Sequence, residues 1–482
     1  MSITMEQAAR AALAHPFQHT IDGQPVGSPG HFEVFNPATG LVLAHAPDAT
    51  REQLDEAVAA ARRSQPAWAG LTADARRQHL LSLAEALIVQ REALATVITL
   101  EQGKPLARAR DEVTRSAQQL QHLVALEMPI EVLKEDAAHR VELHHRPLGV
   151  VGAITPWNMP LLLSLLKAVH ALYTGNTVVL KPSPYTPLTA LRLGELVRGI
   201  FPAGVFNILA GGNDLGRWMT EHPGLDKISF TGSVATGKRV MAGAAATLKR
   251  VTLELGGNDA AIVRADVDPK AIASRLFAVA FANSGQICMA IKRLYVHERV
   301  HDDLCAELAL LARAARVGDG FQPDVDYGPV QNVAQYRIVQ ELLDDARRDG
   351  AVFAAGGHAL ERPGYFIAPT IATGLREGSR LVDEEPFGPV LPVLRFSDDE
   401  EALQRANATL LGLSGSVWSA DVGRAAALAA RLEVGTAWVN QHMFLDAQVP
   451  FGGAKNSGLG SEYGLDGLKH YTQPLALYVP RG

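Results

Sequence analysis

The stretch FTGSVATGK at residues 230–238 decides how this chain is read. An apolar run at residues 228–230 leads into it, and a helical pattern leaves it. Glycines at such a strand-to-helix turn let the backbone come close to a phosphate, and the free N–H groups that open the helix favour an anion. Gly232, four residues, then Gly237 and Lys238 come near a Walker A loop. The next residue is Arg239, where a magnesium-holding Ser or Thr would stand, so an ATPase reading loses its support. The turn is not a strict G-x-G-x-x-G either. Taken alone it divides evenly between structural punctuation and a phosphate site.

Outward from this turn the texture repeats. Apolar runs at residues 150–154, 177–180, 205–209, 228–230 and 251–255 are bounded by Gly and Pro, and helical patterns fall between most of them. This spacing predicts βαβ units and a parallel sheet covered on both faces. Residues 260–263 and 294–296 read as strands of a second α/β region. Upstream, residues 50–68 read as a helix, with Thr50 and Gln53 as a capping box and Ala57, Val58 and Ala61 on its apolar face. A second helix is expected from about residue 74 to 102, stopped by Gly103 and Pro105.

The chain has 482 residues, which at roughly 150 per domain suggests about three domains. Its 47% hydrophobic content is that of an ordinary globular protein. Net charge is −6, and no Lys/Arg run could track a phosphate backbone, so nucleic acid is not an expected partner. Residues 1–17 lack the cationic start and apolar core of a secretory signal. The most apolar stretch, residues 161–172, is interrupted by Ser164, Lys167 and His170, and no membrane span is expected. With Cys288 and Cys305 as the only thiols, a reducing, cytoplasmic setting fits best.

Several short motifs carry chemistry. Cys288 lies in NSGQICMA (residues 283–290), and Glu254 in LELGGN (residues 253–258). A thiol can attack a carbonyl, and a carboxylate can take a proton from a thiol or a water. PWNMP (residues 156–160) ends an apolar run between two prolines, which suits holding the Asn158 amide still as a donor to an alkoxide. KPSP (residues 181–184) puts Lys181 at a strand's carboxyl end, in reach of a ribose or phosphate. EEPFGPV (residues 384–390) pairs carboxylates with a turn; its bland reading is a solvated face and a packed Phe387. HERVH (residues 297–301) spells H-E-x-x-H, but His297 should end a strand rather than ride one helix with His301, so no metal site is expected.

In their order, PWNMP, KPSP, FTGS-x4-GK, LELGGN, GQIC, EEPFGPV and PFGGAKNSGLG resemble the aldehyde dehydrogenase superfamily over roughly residues 30–475, with 34 positions between Glu254 and Cys288. The set is most similar to the NAD(P)-dependent, non-acylating members. The resemblance implies an α/β fold: a Rossmann-like cofactor domain (residues 1–127 and 148–256), an α/β catalytic domain (257–456) and a small β oligomerisation arm (128–147 and 457–482). It implies Cys288 as nucleophile, Glu254 as general base, and Asn158 with the Cys288 N–H as oxyanion donors. Lys167 and Glu462 fall where the family has a proton relay. Cofactor contacts would come from Ile154, Thr155, Pro156, Trp157, Lys181, Ser183, Pro184, Gly232, Ser233, Leu255, Gly256, Glu385 and Phe387.

Positions beside those motifs imply a substrate passage of Met159, Leu162, Leu163, Leu166, Ile287, Met289 and Phe444, all apolar. A medium-sized apolar or aromatic aldehyde follows as the expected substrate, with homodimers or homotetramers as the expected assembly. NAD is favoured over NADP only modestly. Pro184 stands where many NAD-preferring relatives carry a ribose-binding Glu. Two alternatives stay open at this point: a cofactor-independent thiol esterase on the same site, and a non-catalytic protein of the same fold.

Overall fold

The computed structural model describes residues 13–481. The expectation of no signal sequence therefore rests mostly on residues outside the described ones. Two sheets organise the chain. The first has a parallel centre in the order Phe206–Ile208, Thr177–Lys181, Val150–Ile154, Lys227–Thr231, Arg250–Glu254. His19–Ile21 and Gln24–Val26 extend one edge antiparallel, and Gly458–Leu459 pairs antiparallel along the other. The central strands are buried along nearly their whole length, as a sheet covered by helices on both faces requires.

The strand order reverses between Val150–Ile154 and Lys227–Thr231. Chain segments leave these two neighbouring strands in opposite directions and open a crevice at their carboxyl ends, the place where ligands sit in open α/β sheets. PWNMP and the FTGS turn are the two lips of that crevice. Ser233 caps the helix Val234–Ala245, its side chain accepting from the Thr236 N–H at 3.3 Å. Gly237 lets that helix approach the sheet: a Cβ there would sit 2.5 Å from Leu255.

The second sheet runs Val352–Ala355, Thr370–Thr373, Val390–Phe396, Ile291–His297, Asp259–Val263, Ser414–Trp418, Thr436–Val439 and is parallel except for its first strand. His297 ends its strand and caps the helix Glu298–Ala314, so HERVH spans a strand end and a helix start. A third sheet joins Glu131–Glu135, His139–Pro147 and the C-terminal Thr472–Pro480, all antiparallel. No helix among the described residues is long and apolar enough to cross a membrane.

The helix Arg51–Ala69 carries the capping box at Thr50 and Gln53. The single helix expected over residues 74–102 is two, Ala73–Val89 and Arg91–Gln102, separated at Gln90 with φ −93° and ψ 14°. Periodicity hides this break because the buried stripe continues across it. Both helices bury apolar residues against one core, from Leu80 and Leu83 to Ala95 and Ile98. Gly103 then closes the second helix in the left-handed conformation, φ 91°.

Candidate active site

Glu254 ends the last parallel strand of the first sheet, and Asp259 opens a strand of the second. LELGGN is thus the hinge between the sheets, and Cys288 comes to it from the other side. The backbone around the thiol is unusual. Asn283, Ser284 and Gly285 take three successive left-handed conformations, φ 50°, 57° and 74°. Two of the three are not glycine, so the surroundings must hold the strain, a common feature of functional sites. Ser284 donates to the Gly328 carbonyl at 2.8 Å, and a Cβ on Gly285 would collide with the Gly388 carbonyl.

Lys292, four residues past Cys288, ties the loop down. Its Nζ donates to the carbonyl of Ile287 at 2.8 Å and also to that of Cys288, and lies 3.2 Å from the Glu385 carboxylate. Burial pushes the Cys288 thiol up to about 12; the Lys292 charge opposes the rise, while Glu385, Glu254 and Asp259 add to it. The resting thiol is therefore protonated and needs a base.

Glu254 is 5% exposed, and its Oε1 has no hydrogen-bond partner among the described residues. Burial raises its pKa well above the ordinary carboxylate range; Glu462 raises it further and Lys167 opposes. A buried oxygen left unpaired costs about 1–3 kcal/mol. Behind it, Lys167 Nζ is 2.5 Å from Glu462 Oε1 and 3.2 Å from Ser229 Oγ, with the lysine and glutamate both essentially buried.

Asn158 is buried beside the thiol loop. Its Nδ2 donates to the Gln286 carbonyl at 2.9 Å, and its own carbonyl accepts from Asn283 Nδ2 at 3.1 Å and Lys104 Nζ at 3.0 Å. Lys104 is paired with Glu112 at 2.5 Å, both buried. The other Glu112 oxygen accepts the N–H groups of Leu161 and Leu162 at 3.0 and 3.2 Å, capping the helix Pro160–Tyr173. Neither Lys104 nor Glu112 was expected from sequence, nor was Lys292. EQGKP at residues 101–105, with its Lys just past a helix cap, is the one signal that points to Lys104.

The cofactor candidates gather around the crevice. Ile154 and Thr155 are buried at the end of the central strand, followed by half-buried Pro156 and Trp157. Lys181 is buried and donates to the Pro182 carbonyl at 3.2 Å; burial lowers its pKa to about 8 against the pull of Asp48. Ser183 is buried, Pro184 half-buried, Gly232 half-buried and Ser233 exposed at the helix start. Leu255 and Gly256 follow Glu254, and a Cβ on Gly256 would collide with the Glu385 carboxylate. Phe387, at φ 42°, meets Trp157 edge-on with ring centroids 5.2 Å apart. Backbone amides at a helix start, a buried lysine and a carboxylate seated on a bare glycine suit the phosphate, ribose and hydroxyl groups of a dinucleotide.

The expected substrate residues divide. Leu166 joins Tyr463, Leu413, Ala447 and Phe451 in an apolar cluster against which Leu163, Cys288 and Met289 pack. Ile287 is buried next to the thiol, and Met159 Sδ lies 3.1 Å from Lys104 Nζ. Leu162 and Leu166 line a cavity shared with the helix Leu106–Val124. Phe444 is not in this cluster. Its side chain is 63% exposed, and its carbonyl accepts from Trp438 Nε1 at 2.9 Å. The left-handed Met443 before it, φ 61°, turns the segment outward.

Known proteins are similar to this chain over nearly its whole length. Residues 26–476 match the model of the aldehyde dehydrogenase family. The phenylacetaldehyde dehydrogenase of Pseudomonas fluorescens is 39% identical, covering 99% of each chain. An aldehyde dehydrogenase of a Fusarium species, LUC3, is also 39% identical, over 96% of this chain and 98% of its own. Among solved structures, betaine aldehyde dehydrogenase from Staphylococcus aureus in complex with NAD+ superposes with a TM-score of 0.95 at 33% identity, covering 99% and 98% of the two chains. A variant of an aldehyde dehydrogenase from Bacillus cereus gives 0.96 at 34% identity over the whole of both chains. With a family model spanning nearly all of its length and relatives this similar end to end, the chain belongs to the aldehyde dehydrogenase family.

Proposed function

We propose that this protein oxidises a medium-sized apolar or aromatic aldehyde to its carboxylic acid with NAD(P)+, through a covalent thioester on Cys288. One observation carries the reading: the unpartnered Glu254 carboxylate and the anchored Asn158 amide converge on the loop that presents the thiol. Glu254, its pKa raised by burial, is the stronger base for it, and takes the thiol proton as sulfur bonds to the aldehyde carbon. The oxygen of the thiohemiacetal sits between the remaining Asn158 N–H and the Cys288 N–H. One such donor is typically worth about 3–4 kcal/mol in the transition state. A nicotinamide bound in the crevice supplies the acceptor for the hydrogen and electron pair that leave the carbon as the thioester forms.

Once it has passed the thiol proton on towards Glu462 and Lys167, Glu254 takes a proton from the water that attacks the thioester; the carbon–sulfur bond breaks, the acid leaves, and that proton returns to the Cys288 thiolate. Glu385, on Gly256, holds the nicotinamide-side ribose; Lys181 holds the adenosine ribose; Gly232 and Ser233 bring N–H groups to the pyrophosphate. Similarity to an enzyme named for phenylacetaldehyde supports an aromatic substrate, as do the leucines near the thiol. The first sheet, with the N-terminal segments, is the cofactor domain and the second the catalytic domain. The antiparallel arm, with Val132, Leu133 and Tyr478 exposed, is the self-association surface; its full removal should leave a monomer by sedimentation.

The function is tested by incubating the protein with a panel of aldehydes and NAD+ or NADP+, following reduced nicotinamide and carboxylate together. Stoichiometric formation of both, lost in Cys288→Ala while cofactor binding persists, is the expected result. Ester cleavage without any cofactor reduction contradicts it.

A further inference from the structure

The cavity between the helices Leu106–Val124 and Pro160–Tyr173 is walled by leucines and Val169, with three polar side chains among them: Ser116, Gln119 and Tyr463. Ser116 has spent its proton on the Glu112 carbonyl at 2.7 Å. Tyr463 and Leu166 belong both to this cavity and to the apolar cluster that packs on Cys288, so the cavity borders the reacting centre.

Tyr463 is held with unusual force. Its backbone is at φ 61°, ψ 165°, a region that is almost glycine-only. Its N–H donates to His170 Nε2 at 3.1 Å, and its ring stands edge-on to that histidine at 6.3 Å. The ring is 3% exposed, and its hydroxyl donates to Gln119 Oε1 at 3.1 Å. This contact also fixes which way the Gln119 amide points. If Nε2 faced the tyrosine, the buried phenol would accept and its own proton would have no acceptor; with Oε1 facing it, the proton is satisfied. The Nε2 group of Gln119 then has no partner among the described residues and is half-exposed at an otherwise apolar wall.

We propose that Gln119 is a specificity-determining residue, whose Nε2 donates a hydrogen bond to an acceptor oxygen carried by the aldehyde at the end remote from its reacting carbonyl. The substrate class is thereby narrowed to aldehydes with a distal carbonyl, ether or hydroxyl oxygen on an apolar body. A purely hydrocarbon tail leaves the donor dry and unpaired, which is the penalty that selects against it. The proposal rests on the reading of Cys288 as the site of aldehyde oxidation.

Two pairs of near-isosteric aldehydes test it, each differing by a ketone oxygen in place of a methyl group: para-acetylphenylacetaldehyde against para-isopropylphenylacetaldehyde, and levulinaldehyde against isohexanal. Purified wild-type protein should favour the ketone member of at least one pair in kcat/KM by roughly fivefold to tenfold, the effect of one neutral hydrogen bond. Gln119→Leu should collapse that ratio, and Tyr463→Phe, which frees the amide to rotate, should reduce it. The wild-type ratio is readable even where a variant does not fold. A ratio near one in the wild type for both pairs, or a wild-type preference that Gln119→Leu leaves intact, overturns the assignment while aldehyde oxidation stands. Absence of turnover with all four aldehydes contradicts the function itself and takes the assignment with it.

Discussion

The side-chain amide of Asn158 donates to the carbonyl of Gln286 at 2.9 Å, two residues before Cys288. One N–H of the amide is thereby spent on holding the thiol loop, and the other is the one the proposed reaction assigns to the substrate oxygen. Asn158→Ala should cut kcat by about 10²–10³, with a smaller change in KM. Steady-state kinetics, with circular dichroism to show an intact fold, check this. A loss confined to KM contradicts the donor role.

Glu462 raises the pKa of Glu254 and pairs with Lys167. Glu462→Gln removes the first effect, so the Glu254 carboxyl ionises at lower pH and the acidic limb of the kcat profile moves down. It also leaves Lys167 buried without its partner, costing about 3–5 kcal/mol of stability. A pH–rate profile and a denaturant titration read the two effects separately. An acidic limb that stays in place or moves up contradicts the coupling.

Burial raises the Asp259 carboxyl from its ordinary 3.8 to about 7, against the pull of Lys292 and Ser414. A folded-state pKa above the unfolded one favours the protonated native form. Its contribution is full below the unfolded value and is lost as pH climbs through the folded one. Asp259→Asn lacks that dependence. The unfolding midpoint of the wild type minus that of the variant should therefore fall between about pH 4 and pH 7. A constant difference contradicts a neutral Asp259.

Pro184 offers neither a hydrogen bond to a ribose 2′-hydroxyl nor repulsion to a 2′-phosphate. Pro184→Glu supplies both. It should shift the ratio of kcat/KM for NAD+ over NADP+ upward by at least roughly tenfold, as a charged hydrogen bond would. Parallel titrations with the two cofactors measure it; an unmoved ratio places the ribose elsewhere.

The parallel strands were legible because their runs are short, apolar on both faces and punctuated by Gly and Pro. The break at Gln90 was not, because propensity and periodicity both continue through it and only backbone angles reveal it. The placement of residues in local motifs was readable: Glu254 and Lys181 each end a parallel strand and the FTGS turn opens a helix, as their neighbours imply. Supports that join distant segments were not. Lys104 reaches Asn158 across 54 positions and Tyr463 reaches Gln119 across 344, and no local pattern announces either. The exposure of Phe444 was hidden for a related reason: its place beside a motif says nothing of the left-handed turn at Met443 that precedes it.

The covalent step is tested most directly by mass. Protein carrying Glu254→Gln, left with a reactive aldehyde and NAD+ long enough for the slowed attack of the thiol to finish and then quenched in acid, should gain the mass of the acyl group, and peptide mapping should place it on Cys288, because hydrolysis of the thioester has lost its base as well. Acid product formed at the wild-type rate with no adduct on Cys288 would contradict the account.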